Sequence, residues 1–399
     1  MKVCIETFGC RLNKSESLKL EAQFLARGWM RTERHDDADM IVVRGCSVTR
    51  RAQRDCERLI EHIRAKYPFK RLVVTGCLKE RRNEAWLKDL SADTQSVPTR
   101  TARAYLKVQD GCSGACSFCI VPQFRGKSAS VPFSAVLDEA SRFAAAGYRE
   151  IVVTGCSLSQ YSSDGKRLPE LVDALAGVSP DCRIRLGSLE PVAVARETVA
   201  AMAEHDNVCR HLHIPVQSGS DRILSAMRRP YRRRDVDALV AEAERLMPRL
   251  GLGCDIMTGF PDERETDFMA TGALLSRLPF SKVHVFPFSE RPGTVAATLP
   301  NAVPEDIRRE RARSLADAAE KSRTNYIKRF KGRVVRVVVE DLSTLGGWTS
   351  EHVWCRTDEM HARFMTNAMT ATGPHVRRGE AVDIRVRDID GHVLVGDPA

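Results

Sequence analysis

Several things are missing from this chain of 399 residues. Its start, "MKVCIETFGCRLN", has no apolar core of the roughly 7–15 residues that a secretory signal needs. No apolar run approaches the roughly 18 residues of a membrane helix. The cytoplasm is therefore the expected compartment, and no membrane partner is expected. An even set of cysteines is absent too, because there are 13. In a reducing compartment such cysteines read as metal ligands, redox centres or packed thiols rather than a disulfide framework. A large charge imbalance is also lacking. Lys plus Arg is 62 against 52 for Asp plus Glu, or +10, which favours polyanions but also occurs in proteins that bind none.

The length suits two or three domains. Residues 1–97 read as a small α/β unit with strands at 3–8, 39–44 and 71–76 and helices at 15–28 and 51–67. Strand–helix–strand order at this spacing predicts a parallel sheet, whose strand C-termini share one edge. Each of these strands runs into Gly-Cys, so Cys10, Cys46 and Cys77 converge although they are far apart in the chain. Metal binding explains three thiols in equivalent places; burial of single cysteines is the alternative. Cys4 and Cys56 lack this setting and read as core thiols.

A polar stretch over 91–102 suits a linker. After the strand "AYLKVQ" come Cys112, Cys116 and Cys119 in a CxxxCxxC loop. Three thiolates on a four-iron cluster leave one iron open to a small molecule, whereas structural zinc needs a fourth ligand. No Cys or His follows between 120 and 145, so an iron–sulfur cluster is favoured over zinc.

CxxxCxxC with Phe118 before its last Cys resembles the signature of radical S-adenosylmethionine enzymes. "YLKVQDGCSGACSFCIVPQFRGKSAS", "HLHIPVQSGSDRILSAMRRPY", "DIMTGFPDERETDF" and "VHVFPFSERPGT" together with "TFGCRLNKSES" resemble the methylthiotransferases of that superfamily. Within them "GSLEP", "RRPY" and "FPFSERPGT" resemble the branch acting on N6-threonylcarbamoyladenosine at tRNA position 37. "RGC" at 44–46 departs from the family's Asn-Thr-Cys, though the Cys is kept. The resemblance implies two 4Fe–4S clusters and S-adenosyl-L-methionine as cofactors. Cys112, Cys116 and Cys119 would hold the cluster that cleaves the cofactor, and Cys10, Cys46 and Cys77 an auxiliary one. It also implies a tRNA anticodon stem-loop as substrate and an electron donor of flavodoxin or ferredoxin type. No stable protein partner is indicated, and no catalytic residue beyond the ligands.

Residues 98–330 then fit a partial (β/α)6 radical S-adenosylmethionine barrel. Strands are expected at 104–109, 150–155, 182–189, 209–216, 251–260 and 282–288, and helices at 132–146, 191–205, 232–250 and 262–277. Chemistry in such barrels sits at the strand C-termini. By position, Phe118, Gly155, Glu190, Gln217, Ser218 and Asp255 are candidate cofactor contacts, ordinary strand-end solvation being the alternative for the polar ones. Cys156 repeats the Gly-Cys ending, but a seventh thiolate would close an iron that must stay open, so it is expected not to ligate. Cys182, Cys209, Cys254 and Cys355 read as packing.

A long basic helix is expected over 304–332. Short alternating strands over 331–399 then read as a small antiparallel β-barrel that resembles the TRAM domain, an RNA-binding module. Arg228, Arg229, Arg232, Arg233, Lys331 and Arg333 lie in basic runs that suit phosphate contacts, solvated faces being the alternative. Three other readings stay open. The substrate could be isopentenyladenosine tRNA, or a ribosomal-protein aspartate, or the chain could be a non-catalytic iron–sulfur RNA-binding protein.

Overall fold

The computed structural model describes residues 1–47, 50–78, 101–358 and 376–399. Most of the expected 91–102 linker lies outside these residues. The N-terminal sheet is parallel throughout, in the order β2-β1-β3-β4. Its strands are β1 (Lys2–Thr7), the edge strand β2 (Met30–Arg31), β3 (Met40–Gly45) and β4 (Arg71–Gly76). Alternate residues face opposite sides, and both sides are covered, as parallel sheets require. Val3, Met40, Val42 and Val73 pack with Leu20 and Phe24 of α1 (Arg11–Ala26). Ile41, Val43, Val74 and Cys4 pack with Cys56, Ile60 and Ile63 of α2 (Arg50–Lys66). Helix α1 begins at Arg11 rather than 15, because extended Cys10 sits at its N-cap directly after the turn at Gly9.

The central unit has six parallel strands. The first three are β5 (Ala104–Lys107), β6 (Glu150–Thr154) and β7 (Arg183–Leu186). The others are β8 (His211–Gln217), β9 (Gly251–Thr258) and β10 (Phe280–Pro287). Bridges Ile184–Val208 and Ser188–His213 join the two halves. One apolar core fills the space between these strands and their helices. Helix α3 (Val121–Arg125) follows the CxxxCxxC loop, and α4 (Phe133–Ala145) lies close to its expected span. Three helices are additional: α3, α5 (Leu168–Ala176) and, after α6 (Ala193–Ala203), α7 (Asp221–Ala226). Helix α8 (Arg233–Leu246) stops short of 250, since Pro248 disfavours helical backbone in the residue before it. Helix α9 (Glu265–Arg277) precedes β10, and the long α10 (Glu305–Ile327) packs against that strand.

The last strands close a barrel in the ring order β11-β12-β13-β15-β14. They are β11 (Val334–Asp341), β12 (Gly346–Trp348), β13 (Trp354–Thr357), β14 (Ala381–Asp390) and β15 (Val393–Pro398). Four pairings are antiparallel, but β13 and β15 run parallel. A ring of five strands cannot alternate direction at every step, so one like-directed pair is unavoidable. This barrel docks on the strand starts of the central unit. Arg185 donates to Thr349 O at 2.7 Å and to Ser350 O at 3.0 Å, and Gly251 lies against Glu351 O so closely that a Cβ would stand 2.0 Å from it. Buried Glu150 accepts from Arg183 at 2.6 Å and from Arg185 at 2.7 Å. Burial alone would raise its pKa, but these arginines hold the carboxyl well below the usual range.

Candidate active site: two thiol triads at one barrel mouth

Cys112, Cys116 and Cys119 occupy the loop after β5, at the strand C-termini. A Cβ on Gly114 would stand 3.2 Å from Cys112 Sγ and 3.9 Å from Cys116 Sγ, so the glycine lets the loop wrap inward between them. Arg229 donates Nη1 to Cys116 Sγ at 3.1 Å. Burial pushes Cys119 up to about 11, and it raises Cys116 against the opposing pull of Arg229. Cys116 and Cys119 are thus held as thiols until a metal displaces their protons.

The other triad forms from three strand ends. Gly9 has φ +96° and Gly76 φ +92°, a region that L side chains avoid. Their closeness is equally demanding, since a Cβ on Gly9 would lie 2.6 Å from Cys46 Sγ and one on Gly76 2.6 Å from Gly45 O. Fully buried Asn13 ties the loops together, donating Nδ2 to Phe8 O at 2.8 Å and to Gly45 O at 3.0 Å. Cys77 N donates to Gly45 O at 3.0 Å. Arg125, from α3 of the central unit, donates Nε to Cys77 Sγ at 3.1 Å. Burial raises the Cys77 thiol, with Arg125 opposing.

Among the described residues, neither triad has all three ligand sulfurs within 4.8 Å of one another. Metal–sulfur bonds of about 2.3 Å around a single tetrahedral ion would bring them closer than that. A four-iron cube spaces its cysteine sulfurs more widely, and a set of three thiolates leaves one of its irons open.

At the strand ends beside Cys119 lies a cavity of about 1240 Å³, lined by Phe118, Gln217, Asp255, Phe286 and Arg291 among others. Gln217 is 7% exposed, has φ +69°, and its Oε1 has no hydrogen-bond partner. An orphaned acceptor facing a cavity fits a bound polar ligand, and the cavity has room for one of the size of S-adenosylmethionine. Asp255 accepts from His213 Nε2 at 3.1 Å; burial would raise its carboxyl, but His213 leaves it lowered.

The remaining sequence candidates are placed variously. Gly155 packs on buried Gln109, whose Oε1 a Cβ would meet at 2.9 Å. Ser218 is buried and accepts from Ser220 N at 3.1 Å, a structural turn. Glu190 pairs with Arg229 at 2.8 Å. Arg229 itself, read as a phosphate contact, is buried and bound to Cys116, Glu190, Tyr231 and Pro215 O. Its donors are spent on these protein groups, and its place is beside the Cys116 thiol. Arg228, Lys331 and Arg333 are exposed, and Arg232 and Arg233 half-buried. Cys156 Sγ stands 3.6 Å from Asp110 Oδ1, and burial pushes it up to about 12.

Asn13, Glu16, Lys107, Asp110 and Arg125 escaped the sequence reading. The signal was their position, polar groups directly flanking both cysteine sets in "GCRLNKSE", "KVQDGC" and "VPQFRGK".

Comparison with known proteins agrees with this geometry. Residues 2–96 match the family described as uncharacterized protein family UPF0004, and residues 106–275 the radical SAM superfamily. Threonylcarbamoyladenosine tRNA methylthiotransferase MtaB of Aquifex aeolicus is 30% identical, over 85% of this chain and 93% of its own. The protein of the same name from Thermotoga maritima is 32% identical, over 85% and 86%. The tRNA-2-methylthio-N(6)-dimethylallyladenosine synthase of Methylacidiphilum infernorum is 29% identical, over 99% and 94%. Among solved structures, the radical S-adenosylmethionine methyltransferase TsrM of Kitasatospora setae shares the fold, with TM-score 0.55 and 12% identity over 74% of this chain and 77% of that one. The chain belongs to the radical S-adenosylmethionine tRNA methylthiotransferases, enzymes whose cofactors are S-adenosylmethionine and two 4Fe–4S clusters.

Proposed function

We propose that this enzyme inserts a methylthio group at carbon 2 of N6-threonylcarbamoyladenosine at tRNA position 37. The observation that carries the choice of base is the lining of the cavity. Lys282, Arg291, Arg308 and Arg323 reach it, and Nε and Nη2 of buried Arg291 have no partner. Asp255, Glu290, Glu305 and Glu320 line it as well, but the free donors of Arg291 suit the carboxylate in which a threonylcarbamoyl group ends, whereas a dimethylallyl group would leave them unmatched. The relatives named for that base support the same reading.

Cys112, Cys116 and Cys119 hold the cluster that binds S-adenosylmethionine, and Cys10, Cys46 and Cys77 hold the auxiliary one. The cofactor supplies a carbon radical able to take hydrogen from an unactivated ring C–H. The chain's own groups bind and orient. Arg229 fixes Cys116, Gln217 offers its free carbonyl oxygen to the cofactor, and Phe118 walls the cavity with Phe286 and Phe288. Residues 1–97, 98–330 and 331–399 act as cluster-bearing, catalytic and RNA-gripping domains in a cytoplasmic enzyme reduced by a flavodoxin or ferredoxin.

Nucleoside analysis of tRNA from a strain lacking the gene tests the choice of base. The methylthio mark on threonylcarbamoyladenosine is expected to vanish and to return on complementation. Loss of the mark from dimethylallyladenosine instead would overturn the proposal.

A further inference from the structure

Arg125 reaches out of the central unit into the N-terminal one. It ends α3, which begins two residues after Cys119, and its side chain is 7% exposed. All five of its N–H donors find acceptors. Nε donates to Cys77 Sγ at 3.1 Å, Nη1 to Glu16 Oε1 at 3.1 Å and to Asp110 Oδ1 at 2.9 Å, and Nη2 to Asn13 Oδ1 at 2.6 Å and to Glu16 Oε2 at 3.2 Å. Lys107 Nζ bonds Glu16 and Asp110, both at 2.6 Å, and Arg44 bonds Glu16 at 2.7 Å.

Arg125, Lys107 and Arg44 thus meet Glu16 and Asp110 in this knot, and the group that Arg125 points at with Nε is the Cys77 sulfur. Asn13 extends the same knot to the carbonyls beside Cys10 and Cys46.

We propose that Arg125 is the positioning residue of the auxiliary cluster, donating Nε–H to the Cys77 thiolate and favouring the reduced state of the cluster it ligates. The proposal rests on the reading that Cys10, Cys46 and Cys77 hold that cluster. A donor and a buried positive charge at a ligand sulfur stabilise the added electron, because they disperse the charge it brings. The arrangement also makes the loop that carries the first triad the support of the second.

The test uses the full chain, reconstituted anaerobically, with Cys112, Cys116 and Cys119 changed to Ala so that one cluster remains. Its midpoint potential is read by electron paramagnetic resonance during titration with dithionite and redox mediators. Arg125→Gln is expected to move the oxidised-to-reduced ratio at fixed potential at least tenfold toward oxidised, or about 59 mV for one electron. Arg125→Lys, which keeps the charge and loses the fork, is expected to shift the potential less. An unchanged potential in a fully loaded Arg125→Gln protein overturns the proposal. Where that variant does not load, the same change is made in the chain with all six cysteines. Loss of the auxiliary irons alone there supports the proposal, and loss of both clusters overturns it in favour of a general structural clamp. Should Cys10, Cys46 and Cys77 changed together to Ala retain all iron, the ligand assignment has failed, independently of Arg125.

Discussion

Both cysteine sets offer three thiols and one buried arginine, with a 3.1 Å contact from Arg229 to Cys116 in one and from Arg125 to Cys77 in the other. They are built in opposite ways. Cys112, Cys116 and Cys119 are neighbours on one loop, so bringing them together closes almost no chain. Cys10, Cys46 and Cys77 meet only when β1, β3 and β4 pair in register, with Thr7 opposite Arg44 and Gly45 opposite Gly76. The loop site can hold metal while distant parts of the fold fluctuate. The strand-end site is only as stable as its sheet. Identical donors thus depend on folding to different degrees.

The largest expected effect separates the sets outright. Changing Cys10, Cys46 and Cys77 together to Ala should halve the iron and abolish methylthiolation while 5′-deoxyadenosine formation continues. Iron analysis beside product assays checks this, and full iron retention would show the triad does not ligate.

Next comes Gly76→Ala. Its left-handed backbone costs an L residue about 1–2 kcal/mol, and the new Cβ would press on Gly45 O. Auxiliary iron should fall to a minor fraction while the loop cluster stays occupied. Equal loss from both sites would break the contrast drawn above.

Glu150→Gln supplies a control at the opposite, starting end of the central strands. Removing the carboxylate leaves Arg183 and Arg185 buried without their counter-ion, a loss of about 3–5 kcal/mol. Thermal unfolding should show it at neutral pH, with both clusters lost together. Because the folded pKa of Glu150 is lowered, its stabilisation is complete above the unfolded value and fades only as pH falls below the usual glutamate range. Unfolding between pH 6 and 8 should therefore show no contribution from this group's titration.

The smallest effect belongs to Cys156→Ser. The structure places this thiol by Asp110, and Arg125 and Cys10 act on it electrostatically, so it is close to the auxiliary set. On the proposed assignment six cysteines account for two open clusters, and Ser is nearly the same size. Iron content should stay unchanged and most activity remain; loss of a cluster, as Cys116→Ser must show, would make Cys156 a ligand.

How far the sequence could be read follows from the same contrast. The CxxxCxxC loop is visible because its geometry is encoded in adjacent residues. The strand-end set is visible only through topology, by inferring that parallel strands bring their Gly-Cys endings to one edge. The knot of Asn13, Glu16, Asp110 and Arg125 was not legible, because its members come from two folding units and no local period links them. Arg229 misled for a related reason, since an arginine in a basic run looks like a surface charge until burial is known. Helix α5 is short, its nine residues falling below the roughly 10–12 by which a helix announces itself in a sequence.

An open six-stranded sheet leaves two unpaired borders, and here other parts of the chain guard both. Ser15 of α1 donates to Tyr105 O on β5 at 2.8 Å, while Ser322 of α10 donates to Leu278 O at 3.2 Å beside β10. Trimming the protein to its central unit would strip the first guard and bare a strand edge ready to pair with another molecule. The N-terminal unit is thus also a shield against self-association, and a chain that loses it should clump before it can be assayed.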